Sequence, residues 1–97
     1  MVQPEGHEKA EIVILGESPS KNDVIAGYPF AGSQGEMLFD DILARAGIFR
    51  KDCLVMYVYP KQAPANKLEV LNDPFEFAED NWKLIQKHPR KLIIAVG

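Results

Sequence analysis

The stretch Gly16 to Glu36, with the sequence GESPSKNDVIAGYPFAGSQGE, decides the fold of this chain. It follows the apolar run Ile12 to Leu15, a pattern typical of a parallel strand covered on both faces. It ends at Ser33, which with Glu36 has the spacing of a helix-starting capping box. The intervening residues show no helical or strand period, and such long connections are usually functional or disordered. Because open α/β sheets bind ligands at the carboxyl ends of their strands, we predict that the loop 16–32 forms a pocket.

The apolar runs and helix signals along the rest of the chain predict the order βαβαβ. The predicted strands cover 11–16, 53–59 and 91–96, and the predicted helices cover 33–46 and 74–87. Parallel strands joined by right-handed crossovers give a three-layer α/β/α sandwich, with strand order 2-1-3 and helices on opposite faces. A second long connection covers 60–72. Residues 1–10 are predicted to be a flexible N-terminal arm, and residues 11–97 one domain.

Two residues near the helix ends carry further predictions. Gly47 is placed to end the first helix in the left-handed conformation. Asp73, followed by Pro74, is placed to cap the second helix. Gly47 thus marks the end of the first predicted helix, and Asp73 marks the start of the second.

The composition restricts the function classes. The chain has 97 residues and a net charge of −3, so attraction of nucleic acid to the whole surface is not predicted. Cys53 is the only cysteine, which excludes a disulfide framework and favours a small buried hydrophobe. No apolar run has the length of a membrane span, so we predict a cytoplasmic protein without a membrane partner. A basic group near the second helix end either offsets the negative helix terminus or forms a phosphate patch; it comprises Lys83, Lys87, Arg90 and Lys91.

Five short motifs in order resemble the uracil-DNA glycosylase superfamily, and most of all its family 4. They are Gly-Glu-Ser-Pro-Ser at 16–20, Gly-Tyr-Pro-Phe-Ala-Gly at 27–32, Gly-Ile at 47–48, Ala-Pro-Ala-Asn at 63–66 and Ala-Val-Gly at 95–97. The resemblance implies that residues 11–97 are the N-terminal portion of a uracil-DNA glycosylase-like domain. It also implies DNA as the partner and hydrolysis of the N-glycosidic bond of a flipped-out deaminated or damaged base in DNA repair.

The resemblance implies a role for particular side chains. Glu17 is the expected catalytic carboxylate, which positions water or stabilises a cationic sugar. Phe30 is expected to stack on the extracted base, with Ser18 and Tyr57 in the same base-binding site. Backbone N–H groups of Ser18 and Ser20 are expected to bind a base carbonyl or a phosphate. The expected DNA-backbone and loop positions are Pro19, Ser20, Asn66, Lys67 and Gly97. Without the resemblance, Glu17 is a solvated carboxylate and Phe30 closes the loop onto the core.

Three features depart from the family pattern. Tyr57 stands where the family has an asparagine, and one hydroxyl cannot copy the paired donor and acceptor of a carboxamide. The four cysteines of the iron–sulfur cluster are missing, with Lys61 at one of their positions, so no cofactor and no metal are expected. The chain ends at the third strand, which predicts a truncated domain. Because that strand is an apolar sheet edge, we expect a missing C-terminal half or self-association through residues 91–96 to cover it.

Two other functions stay open from the sequence. One is a non-catalytic glycosylase-like module that binds nucleic acid or protein, for instance as an appendage of a replication protein. The other is a small nucleotide- or phosphate-binding α/β domain that shares the loop by chance.

Overall fold

The computed structural model describes residues 2–59, 61 and 74–96. The strands are β1 (Ile12–Gly16), β2 (Cys53–Tyr57) and β3 (Leu92–Val96). The α-helices are α1 (Lys21–Ala26), α2 (Ser33–Glu36) and α3 (Pro74–Gln86). A π-helix (Met37–Leu43) continues α2, and a 3₁₀ turn (Arg50–Asp52) precedes β2.

The three strands form one parallel sheet in the order β2-β1-β3. Ile14 in the central strand lies opposite Val55 on one side and Ile94 on the other. This confirms the predicted strand order and the predicted α/β class. Two further bonds extend the pairing past the ends of the strands: Val58 N–H donates to the Gly16 carbonyl at 2.8 Å and Tyr59 N–H to the Glu17 carbonyl at 3.0 Å. The backbone at the start of the long loop is therefore fixed to the sheet.

The two faces of the sheet are covered by different helices, as the sequence predicts. On one face, Phe39 and Leu43 of the π-helix pack on a cluster that includes Ile14 and Val55. On the other face, Ile85 of α3 packs on a cluster formed by Val13, Leu54 and Met56. The loop that follows β1 thus opens between two covered faces, at the carboxyl edge of the sheet.

The first predicted helix differs in its start and in its interior. Its N-cap is Gly32, and no side chain caps it, so the predicted capping box of Ser33 and Glu36 was wrong. Ser33 lies inside the helix, where its hydroxyl does not cap the helix. From Met37 to Leu43 the helix is a π-helix, a form found often near functional sites. Its end matches the prediction: Gly47 has φ +76°, and Ile48 N–H donates to the Leu43 carbonyl at 2.9 Å, as in a Schellman motif.

A short helix, α1, lies inside the stretch that was predicted to lack regular structure. Ser20 is its N-cap: the Asp23 N–H donates to Ser20 Oγ at 3.3 Å, and the Ser20 N–H donates to Asp23 Oδ2 at 3.1 Å. Gly27, with φ +84°, ends it. The prediction of a loop without helix was therefore wrong, and the capping-box spacing of Ser20 and Asp23 was the signal that could have corrected it.

The N-terminal segment lies against the outer edge of β2. Glu5 and Val55 exchange both backbone hydrogen bonds, each at 2.8 Å, in an antiparallel bridge. Val2 is buried. The flexibility expected for residues 1–10 stays a prediction. On the opposite edge of the sheet, Leu92 and Ile93 of β3 are 43% and 44% exposed.

The basic residues near the end of α3 contact protein groups. Arg90 donates to the carbonyls of Leu84 and Ile85 at 3.0 Å each and to the Ala10 carbonyl, so it satisfies the end of the helix. The three lysines of the group each face a glutamate: Lys83 with Glu79, Lys87 with Glu8 and Lys91 with Glu11. These contacts favour the helix-end role of the group over a phosphate patch. No helix in the described ranges is long and apolar enough to cross a membrane.

Candidate functional site

A cleft of about 480 Å³ opens where β1 ends, within the size range of small-molecule pockets. The structure brings Glu17, Ser18, Ser20, Phe30 and Tyr57 to this one cleft. α1 contributes Asn22 and Asp23, and the segment around α2 contributes Gly32 to Gly35. The loop 16–32 therefore lines a cleft at the predicted edge of the sheet. Pro19 is buried and does not line it, and Asn66, Lys67, Gly97 and the helix cap Asp73 lie outside the described residues.

Phe30 is half-buried and forms part of the cleft wall. Its ring stacks on Tyr57, with centroids 4.9 Å apart and an interplanar angle of 26°. It meets the Phe39 ring edge-on, with centroids 6.2 Å apart. One part of Phe30 therefore packs against the core, as the sequence allowed for a residue that closes the loop, and another part faces the cleft.

The backbone at Phe30 is held in an unfavourable conformation. Its φ is +54°, a value that bulky residues rarely adopt and that costs about 1–3 kcal/mol. Two glycines make room for it. A Cβ at Gly35 would lie 1.9 Å from the Phe30 carbonyl oxygen, and one at Gly16 would lie 2.7 Å from both the Phe30 ring and the Tyr57 ring. The position of the ring is thus imposed by its surroundings.

Asp23 is the buried charge that holds this loop, and sequence reasoning missed it. The residue is 3% exposed. Its Oδ1 accepts the Ala31 N–H at 2.7 Å, and its Oδ2 accepts the Ser20 N–H at 3.1 Å and the Tyr57 hydroxyl proton. A buried carboxylate is tolerated when it accepts several hydrogen bonds in this way. These bonds join the loop after β1, the segment after Phe30 and the end of β2.

The Tyr57 hydroxyl forms two hydrogen bonds within the protein. It donates to Asp23 and accepts the Phe30 N–H at 3.0 Å. Burial raises the pKa of Tyr57 above its ordinary value, and the hydrogen bond to Asp23 raises it further. The hydroxyl is therefore a neutral donor at any physiological pH. The Asn81 side chain of α3 fixes the backbone at the same place by donating to the Tyr57 carbonyl at 2.7 Å.

Arg50 is a second residue that sequence reasoning missed. Its guanidinium donates to the carbonyls of Pro29 and Phe30 and pairs with Glu5 Oε2 at 2.7 Å. It also lies 4.7 Å from the centroid of the Phe39 ring, within the range of a cation–π contact. Arg50 thus satisfies two carbonyls at the strained turn and connects them to the N-terminal segment.

Glu17 and the two serines differ in how far their polar groups are already used. Glu17 is exposed, and its side chain makes no hydrogen bond or ion pair with the described residues. The Ser20 N–H donates to Asp23. It is therefore not free to bind a base carbonyl or a phosphate, although the family resemblance implied that it would. The Ser18 N–H has no partner among the residues that the structure describes. The groups open to a ligand at this end of the cleft are therefore the Glu17 carboxylate and the Ser18 amide.

The donor set of this chain does not fit an iron–sulfur cluster. Such a cluster is held by several cysteine thiolates, and the 97 residues contain one cysteine. Cys53 is fully buried, as predicted, and its thiol donates to the Phe49 carbonyl at 3.3 Å. Burial raises the pKa of the Cys53 thiol, and the nearby Asp52 charge adds to this. In the described ranges, no three His, Cys, Asp or Glu residues are grouped as metal ligands.

The described residues define an α/β protein with a parallel sheet and a cleft at its carboxyl edge, behind the Gly-Glu-Ser-Pro turn and beside the Phe30 ring. The sequence model of the uracil DNA glycosylase superfamily matches residues 3–97. The chain therefore belongs to the uracil DNA glycosylase superfamily.

Individual relatives point to the same family. The chain is 39% identical over 62 residues to the type-4 uracil-DNA glycosylase of Archaeoglobus fulgidus, an alignment that covers 64% of this chain and 31% of the relative. It is 36% identical over 66 residues to that of Saccharolobus solfataricus, covering 68% of this chain and 31% of the relative. It is 34% identical over 67 residues to that of Thermotoga maritima, covering 69% and 34%. The chain thus spans about a third of the length of the curated relatives it matches.

Proposed function

We propose that the protein containing this chain removes a flipped-out base from DNA by hydrolysing its N-glycosidic bond, with uracil or another deaminated or damaged base as substrate. The observation that carries the proposal is the cleft, in which the exposed Glu17 carboxylate and the Phe30 ring line one space. Membership of the superfamily and the type-4 names of its relatives support it. A role in DNA repair implies a location inside the cell, and the cytoplasmic location stays a prediction from the sequence.

Phe30 is the proposed stacking surface for the extracted base. An enzyme that acts on a base must take it out of the base stack of the DNA, which costs a few kcal/mol. Stacking of the extracted base on an aromatic side chain offsets about 1–3 kcal/mol of this cost. The Phe30 ring is suited to this because Tyr57 and Phe39 already fix its position. A ring held in place loses little conformational entropy when the base binds.

Glu17 is the proposed catalytic carboxylate. As the bond between the sugar C1′ and the base nitrogen breaks, the base leaves with the electron pair and positive charge develops on the sugar. A carboxylate beside C1′ stabilises that charge, as carboxylates do in glycoside hydrolysis. It also orients the water whose oxygen forms the new bond to C1′; the carboxylate takes up the proton that this water loses and passes it to the released base anion. The backbone of Glu17 is fixed for this role by the Tyr59 N–H, which donates to its carbonyl.

Contacts to the DNA backbone belong to the loops in this proposal. The lysines near the end of α3 already pair with glutamates, and the net charge of the chain is −3. Local donors therefore have to bind the phosphates. The Ser18 amide is one proposed donor, and Asn66, Lys67 and Gly97 remain proposed loop contacts from the family resemblance.

The test is release of bases by the complete protein from oligonucleotides that contain uracil or hypoxanthine, in single- and double-stranded form. We expect Glu17→Gln to slow release by about 10²–10⁴-fold, the usual range for a positioned catalytic side chain. Phe30→Ala is expected to slow base release by about 5- to 150-fold, because the stacking contact with the base is lost. Glu36→Gln is the matched control, because Glu36 is an exposed carboxylate outside the cleft.

Two outcomes would count against the proposal. Unchanged release by both Glu17→Gln and Phe30→Ala would remove the site assignment. Absence of any base release by the unaltered protein would favour the non-catalytic glycosylase-like module instead.

A further inference from the structure

The Tyr57 side chain is not available to recognise a base. Its hydroxyl proton is donated to Asp23, and the hydroxyl oxygen accepts the Phe30 N–H. The residue is 5% exposed, and its ring lies against the Phe30 ring. The only hydrogen that the phenol can donate is therefore already used, and a donor for a base edge has to be another group in the cleft.

Asn22 supplies a free carboxamide in the same cleft. It lies on α1, is exposed, and lines the cleft. Its side chain lies against Gly32: a Cβ added at Gly32 would be 3.4 Å from Asn22 Nδ2. The Asn22 carboxamide makes no hydrogen bond to any residue that the structure describes. A carboxamide offers a donor and an acceptor side by side, the pair that the Tyr57 hydroxyl cannot offer.

The place of Asn22 is fixed by its neighbour in the chain. Asp23 is buried and holds the start of α1 through the Ser20 capping box. Its other oxygen accepts the Ala31 N–H, which ties α1 to the segment between Phe30 and Gly32. Because the same segment carries the Phe30 ring, the Asn22 carboxamide and the proposed stacking surface are held in one arrangement.

We propose that Asn22 is the residue that determines base specificity in this cleft. Its carboxamide accepts from a ring N–H and donates to the adjacent carbonyl of a base stacked on Phe30. The substrate class is a base with N–H and C=O side by side, as in uracil and hypoxanthine. This inference rests on the proposed function, since it assumes that the cleft receives a flipped-out base.

The test compares two substrates in the complete protein: DNA with uracil and DNA with 3-methyluracil, which keeps the stacking face but lacks the ring N–H. The unaltered protein prefers uracil. In Asn22→Ala, the ratio of the uracil rate to the 3-methyluracil rate falls by about 5- to 150-fold, the discrimination that one good two-bond contact to a base edge provides. Asn22 is exposed and alanine favours helix, so the variant keeps the fold.

Two further variants separate this role from a general effect. Gln86→Ala removes an exposed carboxamide from α3, outside the cleft, and leaves the ratio unchanged. Tyr57→Phe lowers both rates because the loop loses a support, but it reduces the ratio less than Asn22→Ala does, because the hydroxyl does not touch the base. An unchanged ratio in Asn22→Ala, with uracil still released by the unaltered protein, would overturn the inference alone. No release by the unaltered protein would overturn the proposed function together with it.

Discussion

Replacing Tyr57 with phenylalanine tests the contact on which the shape of the cleft depends. The substitution keeps the ring that stacks on Phe30 and removes only the hydroxyl. Two hydrogen bonds disappear with it: the one donated to the Asp23 carboxylate and the one accepted from the Phe30 N–H. Asp23 keeps its bonds from Ser20 and Ala31, so the carboxylate stays partly satisfied.

The expected loss in the free energy of unfolding follows from these two bonds. A hydrogen bond to a charged group contributes about 1.5–3 kcal/mol, and one between neutral groups about 0.5–1.5 kcal/mol. Without these bonds Phe30 can leave its left-handed conformation, which relieves part of the backbone strain of about 1–3 kcal/mol and so reduces the loss of stability. We therefore expect Tyr57→Phe to destabilise the protein by about 1–3 kcal/mol, a large share of the 5–15 kcal/mol that is typical of a domain.

Chemical denaturation followed by circular dichroism measures this loss. Tyr28→Phe is the matched control: it removes a tyrosine hydroxyl from the same loop, but that hydroxyl makes no hydrogen bond to the described residues. A double-mutant cycle with Asp23→Asn isolates the bond between the two side chains, and we expect a coupling energy of about 1–2 kcal/mol. If Tyr57→Phe is no more destabilising than Tyr28→Phe, the hydroxyl does not hold the loop and the reasoning is refuted.

Three further predictions concern Gly35 next to Phe30, the stability of the protein at alkaline pH, and the exposed edge strand β3. Gly35→Ala should destabilise by more than 3 kcal/mol, because its Cβ would meet the Phe30 carbonyl oxygen, whereas Gly47→Ala, with open space around it, should cost only about 1 kcal/mol in a denaturation series. Because the pKa of Tyr57 is raised in the folded protein, the unfolded chain loses the phenol proton at a lower pH than the folded protein does. The free energy of unfolding should therefore stay constant up to about pH 10 and decrease above it. In denaturation measured against pH, Tyr57→Phe should make this decrease smaller. The exposed apolar side chains of β3 should drive self-association of the 97-residue chain in light scattering, and Ile93→Lys should yield monomer; a stable monomer before the substitution would contradict this.

The strands and their order could be predicted because each depends on a local pattern. Three continuous apolar runs, separated by helix signals, leave few topologies once right-handed crossovers are required. The position of the cleft followed from the same pattern, since a long loop after a central parallel strand opens at its carboxyl end. The pairing of Ile14 with Val55 on one side and Ile94 on the other agrees with the predicted central position of the first strand.

The contacts that shape the cleft could not be predicted, because they join residues far apart in the chain. Tyr57 and Asp23 are 34 residues apart, and Arg50 and Glu5 are 45 apart. The hydrophobic periodicity of the sequence does not indicate which residues so far apart are in contact. The wrong helix start has a related cause: the sequence contains two serine–acid spacings, and only the one at Ser20 forms a capping box.

The residue at position 57 has to be considered together with Asp23 and Phe30. The resemblance implies an asparagine at this place in the family, and the shorter asparagine side chain has no aromatic ring for Phe30 to stack on. Here the tyrosine ring lies under the Phe30 ring, its hydroxyl reaches the buried carboxylate, and Gly16 leaves the space for both rings. Placing an asparagine at position 57 would remove these contacts without providing the loop with another support. The tyrosine is thus part of the structure that forms the cleft, which is why we propose that Asn22 on α1, and not Tyr57, recognises the base.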